Sequence, residues 1–177
     1  MASAVQAAGS VTADLTLNTA EWLFLGPLYI GTPLQGEPAY ILYDSSIGYT
    51  TVTSATCGDL CINNYYDSSN SSTYTSLSSS PSTLLFPNSP VFRGDSLIAE
   101  EVSDQVCFSN DETACVADFD FYSVVQENID YLDSDVSGFV GFGPSESGMP
   151  NYIESLKEAG IIDSQVVTFN LSADESV

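Results

Sequence analysis

Ala39-Tyr40-Ile41-Leu42-Tyr43 is apolar at every position, so a strand built on it presents hydrophobic side chains to both faces of its sheet. Such a strand belongs in the middle of a sheet that is covered on both sides. It ends in a carboxylate, Asp44, which the chain therefore carries into the interior. A carboxylate in that position has two fates. It is a structural acceptor for nearby backbone N–H groups, because buried polar groups must be hydrogen-bonded, or it is a reactive group. The strand pattern leaves both open.

Similar short runs of β-branched and aromatic residues recur between clusters of Gly, Pro, Ser and Asp: Leu97-Ile98-Ala99, Phe119 to Val125, and Val166 to Leu171. They predict strands of a mainly β domain. One helix of about three turns is predicted near the C-terminal side, with Pro150 near its start, Ile153, Leu156 and Ala159 on one face, a Glu154/Lys157 contact and Gly160 as terminator. Ser68 to Thr83 is Ser-rich and by composition alone reads as a flexible or O-glycosylated linker. No internal repeat is visible.

The chain has 177 residues, enough for one domain with a sizeable core. Arg93 and Lys157 are its only basic residues against 24 acidic ones, a net charge of -22. Nucleic acid and anionic membrane surfaces are poor partners on that ground, and no nucleic-acid partner is expected. Self-repulsion of this size is relieved when carboxylates protonate, which points to an acidic compartment; generic solubility or a salt-rich cytoplasm is the competing explanation. No apolar run reaches the ~18 residues of a spanning helix, so no membrane insertion is expected. Met1-Ala2-Ser3-Ala4-Val5 lacks the basic and apolar regions of a secretory leader, as a mature or truncated piece would.

Four cysteines form two close pairs in sequence, Cys57/Cys61 and Cys107/Cys115, but sequence leaves three connectivities open. A zinc site is disfavoured, since the chain has no His and the two spacings do not make matching knuckles. The missing His also excludes Ser-His-Asp, Cys-His and His-Glu-x-x-His chemistry. Asp133-Ser134-Asp135 opens like a calcium loop, but its twelfth position is Pro144 where a bidentate Glu is needed. Arg93-Gly94-Asp95 is an integrin-type tripeptide in letters only.

Three motifs occur in order around Asp44: Ile30-Gly31-Thr32-Pro33-Leu34-Gln35, then Tyr66-Asp67-Ser68-Ser69-Asn70-Ser71-Ser72-Thr73-Tyr74, then Gly138-Phe139-Val140-Gly141-Phe142-Gly143. Gly160 to Phe169 adds a glycine, two isoleucines and a later phenylalanine behind the predicted helix. Together they resemble the N-terminal lobe of the pepsin-like aspartic peptidases over almost the whole chain, from about Leu15 to Ser172. The resemblance implies a single lobe of that fold over residues 15–177 behind an N-terminal extension, 1–14, with the second lobe absent. It implies that residues 66–74 are an ordered turn, and that the Asp44 loop crosses Phe139-Val140-Gly141 in a ψ-shaped unit.

By the same resemblance Asp44 is the candidate catalytic residue, without metal or cofactor. The family follows this carboxylate with Thr-Gly-Ser, whereas Ser45, Ser46 and Ile47 stand here. Ser45 keeps a hydroxyl but loses the methyl that stiffens the rotamer. Ser46 puts a Cβ where the family needs glycine. Ile47 removes a hydroxyl that bonds the carboxylate, so Asp44 is expected to be poorly oriented. Phe86 takes the place of the flap tyrosine, and Pro87-Asn88-Ser89-Pro90 that of the glycine-rich tip. Cys57/Cys61 occupies the family's small disulfide loop, which implies local pairing and an oxidising, secreted or endolysosomal or vacuolar environment. Asn70 and Asn170 then become candidate glycosylation sites. The reading is a lobe inactive as an isolated chain, a structural or binding module for a peptide or protein ligand. The alternative is an active endopeptidase half completed by a second lobe or by self-association.

Overall fold

The computed structural model describes residues 9–18, 23–35, 39–61, 63, 65–85, 95–110, 112–128, 136–145 and 148–170. Its strands are β1 (Thr16–Asn18), β2 (Leu23–Ile30), β3 (Ala39–Asp44), β4 (Thr51–Thr53), β5 (Thr75–Ser76), β6 (Ser82–Leu85), β7 (Ser96–Cys107), β8 (Cys115–Asn128) and β9 (Gly138–Gly141), followed by one α-helix, α1 (Tyr152–Glu158). The domain is mainly β, as the short apolar runs require. β3 lies inside the sheet, in the order β1-β2-β3-β9-β4-β8-β7-β5.

The sheet closes on itself. β2 pairs with β3 on one edge and, through Tyr29 and Ile30, with Cys107 and Val106 of β7 on the other. The circuit β2-β3-β9-β4-β8-β7 thus returns to β2 and leaves those strands without long open edges. Leu28, Ile30, Ile41, Val52, Val102 and Phe121 are fully buried within it. Phe119 and Phe108 meet the Tyr152 ring edge-on at 4.9 and 4.7 Å, so the helix is fixed to the sheet by aromatic packing.

The β7–β8 hairpin is longer than the runs Leu97–Ala99 and Phe119–Val125 that announced it. Between them the polar residues Glu100, Glu101, Ser103 and Asp104 continue the strand. Cys107 stands directly opposite Cys115 in the register, with Cα atoms 4.0 Å apart, and the two form a disulfide. Cys57 and Cys61 form the second. Both are the local pairs implied by the resemblance.

Two expectations are corrected. The helix has two turns rather than three; Pro150 lies just before it, and Asn151 is its cap, the Asn151 side chain accepting the Ile153 N–H at 2.9 Å. Its buried face is Tyr152 and Leu156, while Ala159 is exposed; Gly160, at φ 72°, ends it as expected. Lys157 donates to the Asp163 carbonyl oxygen. Val166 to Asn170 is not a strand but exposed chain, with Val166 72% exposed. It pairs with no described strand, and propensity alone does not make a strand. Phe169 instead leans on Phe142, ring centroids 6.1 Å apart.

Buried tyrosines make the fold sensitive to alkali. Burial pushes the Tyr43 and Tyr152 hydroxyls well above their ordinary 10.0, and Tyr66 rises for the same reason, aided by its hydrogen bond to Asp104. The folded state thus holds these protons more tightly than the unfolded chain. Their contribution to stability is complete below the unfolded value and is lost as pH rises above it. Ionisation of Tyr43, Tyr66 and Tyr152 is expected to appear together with unfolding, cooperatively, above about pH 10. Gradual ionisation of all tyrosines in a still-folded protein would contradict this.

Candidate functional site

Asp44 stands where three strands meet. β9 is inserted between β3 and β4, parallel to the first, with Asp44 opposite Gly141, and antiparallel to the second, with Thr51 opposite Phe139. The turn joining β3 to β4 must therefore pass over the end of β9. Backbone hydrogen bonds bind the two: Phe142 N–H to the Asp44 carbonyl at 2.8 Å, Gly143 N–H to Ile47 at 2.8 Å, and Gly141 N–H to Tyr49 at 3.1 Å. A Cβ on Gly141 would lie 2.6 Å from the Tyr49 carbonyl oxygen and 2.7 Å from its nitrogen. One on Gly143 would lie 2.9 Å from the Ile47 oxygen. Glycine is needed at both places because backbone crosses backbone.

The Asp44 carboxylate is half-buried, and its Oδ1 accepts both the Ser46 N–H, at 2.6 Å, and the Ser46 hydroxyl, at 2.7 Å. This corrects the expectation that Asp44 is poorly oriented. Serine at position 46 supplies the orienting hydroxyl that isoleucine at 47 lacks. Its Cβ is accommodated because Ser46 has no positive φ; among the described non-glycine residues only Glu112 and Asp118 do. Ile47 turns inward, 4% exposed, into the cluster of Leu25, Leu42 and Tyr49. Ser45 is exposed. The second carboxylate oxygen, Oδ2, takes no hydrogen bond from the described residues. A carboxylate gripped at one oxygen and open at the other can accept a proton or a hydrogen bond from an incoming water or amide. A lone carboxylate cannot also be the proton donor in the same step.

A second carboxylate escapes sequence reasoning. Asp104 of β7 is fully buried, yet it sits in a polar run that reads as a solvent face. Its Oδ2 accepts the Tyr66 hydroxyl at 2.7 Å. Its Oδ1 accepts the Ser71 hydroxyl at 2.9 Å, the Thr73 hydroxyl, and the Gln105 N–H at 2.8 Å. Asp104 therefore ties the Ser-rich turn to the sheet. Asp67 caps the same turn through Ser69 N–H, and Gln35 bonds Asp67 N–H and its carbonyl. Residues 66–74 are ordered, as expected. A turn carrying so many hydroxyl donors needs a buried acceptor; that is the signal that could have pointed to Asp104.

The remaining candidates lie apart from Asp44 or outside the described residues. Phe86 with Pro87 to Pro90, Arg93-Gly94, and Asp133 to Asp135 fall outside them. Asn70 is exposed, its side-chain N–H donating to Asp67 Oδ2 at 2.7 Å; Asn170 is exposed as well. A largely apolar cavity of about 340 Å³ is lined by Tyr43, Phe108, Phe142, Ile153, Leu156 and Phe169 among others, and Asp44 is not part of its lining. Among the described residues no helix is long and apolar enough to cross a membrane. No protein-family model matches the chain, and no curated protein matches it significantly.

Proposed function

We propose that the chain is a pepsin-like aspartic peptidase lobe, without peptidase activity by itself, that serves as a peptide-binding or structural module. The observation that carries this reading is the β3-β9-β4 crossing with Asp44 at its centre, one carboxylate oxygen held by Ser46 and the other free. The resemblance implies that same crossing from motifs far apart in sequence. Peptide hydrolysis by carboxylates needs two of them close enough to share a proton, so that the pair acts as base toward water and as acid toward the leaving amine. No second Asp-Thr-Gly or Asp-Ser-Gly occurs in the chain. The lobe can therefore offer a peptide a hydrogen-bonding carboxylate but no dyad. Two disulfides and the acidic composition support a secreted or lumenal acidic setting.

A second reading is favoured by the Ser46 clamp itself. An oriented Asp44 is what an active half would need once another lobe, or a second copy, brings the partner carboxylate. The assay that separates the readings incubates the purified chain with a denatured protein in mildly acidic buffer, beside Asp44→Ala. No cleavage by either is expected. Cleavage by the wild type that Asp44→Ala abolishes would overturn the inactive reading and establish self-association as the source of the second carboxylate.

A further inference from the structure

The Ser-rich run divides into two chemically different halves. From Ser69 to Ser78 its hydroxyls are largely engaged: Ser69 with Asp67, Ser71 and Thr73 with Asp104, Ser72 with the Thr32 carbonyl, Ser76 with the Ser78 carbonyl, and Ser78 as acceptor for the Glu101 N–H. From Ser79 to Thr83 they are not. Ser79, Ser80, Ser82 and Thr83 are all exposed, and their hydroxyls bond none of the described residues. Ser79 and Ser80 occupy the bend between β5 and β6, and Ser82 and Thr83 are the first two residues of β6. Pro81 lies in the middle, fixing its own backbone and biasing Ser80 toward an extended one.

This bend has an unprotected edge beside it. β6 pairs with β7 on one side only, and no described strand pairs its other side. Leu77 and Leu85, at the two ends of the segment, are 46% and 64% exposed. A short strand with a free edge and exposed leucines invites pairing with another chain. Neither charge nor proline lies on β6 itself, Ser82-Thr83-Leu84-Leu85, so the usual protection is missing from the strand.

We propose that Ser79, Ser80, Ser82 and Thr83 form an O-glycosylation site, whose sugars cover the free edge of β6 and its flanking leucines. In the transfer a serine or threonine Oγ attacks the anomeric carbon of a nucleotide-activated sugar. The bond from that carbon to the nucleotide phosphate breaks, the nucleoside diphosphate leaves, and the hydroxyl proton passes to a base of the transferase. The acceptor side needs only what the bend and the start of β6 offer: exposed hydroxyls without a hydrogen-bond partner among the described residues, on either side of Pro81. A bulky neutral solubilising group suits a chain that already carries a net charge of -22 better than a phosphate would. The inference does not depend on Asp44 or on the peptidase reading.

The test incubates the purified, folded, disulfide-bonded chain with a Golgi membrane extract and labelled UDP-N-acetylgalactosamine, beside a mucin-type peptide that reports on the extract's activity. The label is expected in the proteolytic fragment spanning residues 75–85, and it is expected to be lost when Ser79, Ser80, Ser82 and Thr83 are all replaced by alanine. That variant is expected to melt as the wild type does and, compared with the glycosylated protein, to self-associate at lower concentration. Label on the mucin peptide but not on the chain overturns the proposal. So does label that survives the fourfold substitution, or phosphate rather than sugar on these residues in protein isolated from a secreting eukaryotic host.

Discussion

Gly141→Ala is expected to be a severely damaging single-methyl addition, costing roughly 3–5 kcal/mol. The new Cβ would meet the Tyr49 carbonyl oxygen at 2.6 Å and the Tyr49 nitrogen at 2.7 Å, with the Ile47 carbonyl oxygen closer still. All three are backbone atoms of the turn that crosses β9, and none can swing aside as a side chain would. Relief requires β9 to separate from that turn, which breaks the hydrogen bonds that hold Asp44 in place. Domains are commonly stable by only ~5–15 kcal/mol, so a large part of the fold's margin goes with this one contact. Gly148 supplies the control: its φ is 77° but no atom lies within 4 Å of an added Cβ. Gly148→Ala is expected to cost only the backbone strain, about 1–2 kcal/mol. Urea midpoints for the two variants check the claim, and equal losses would contradict it.

Asp104→Ala is expected to cost about 3–4 kcal/mol, a large effect for a residue outside the candidate site. It leaves the buried Tyr66 hydroxyl without its acceptor at Oδ2, and Ser71, Thr73 and the Gln105 N–H without theirs at Oδ1. Asp104→Asn keeps one carbonyl oxygen for the second group and is expected to lose about half as much. Because the carboxylate joins the turn 66–74 to β7, its loss is also expected to raise amide exchange in that turn more than in the closed sheet. A melting curve unchanged within error, or exchange raised evenly throughout, would contradict the assignment of Asp104 as the anchor of the turn.

These two residues mark the boundary of what the sequence makes legible. The interior strand can be read from Ala39 to Tyr43 because no polar residue interrupts it, and Gly138 to Gly143 can be read because its glycines recur where backbones cross. Asp104 cannot be found by periodicity. It lies among Glu100, Glu101, Ser103 and Gln105, and only the donors brought to it by the turn at residues 66–74 make its burial tolerable. The tail from Val166 to Asn170 shows the opposite failure: its residues suit a strand, but a strand also needs a neighbour, and strand propensity carries no information on whether one is present. The helix is legible in place but is one turn shorter than its pattern suggests: Asn151 caps it by accepting the Ile153 N–H, and it runs only from Tyr152 to Glu158. At the site, Ser45, Ser46 and Ile47 read as three losses when each is weighed alone. Geometry makes Ser46 a gain, because its N–H and hydroxyl converge on the same oxygen of Asp44.

The central proposal is that the free side of Asp44 is where this chain meets an extended peptide. Its most direct test is a titration of the isotopically labelled chain, followed by amide NMR, with a peptide whose central linkage is a secondary alcohol in place of an amide. Such a group presents a hydroxyl to a carboxylate without being cleavable. The account predicts saturable shifts centred on Ser45, Ser46 and Ile47 and on Gly141 to Gly143, absent in Asp44→Ala, with the closed sheet otherwise undisturbed. Shifts confined to residues remote from Asp44, or unchanged by Asp44→Ala, would contradict it.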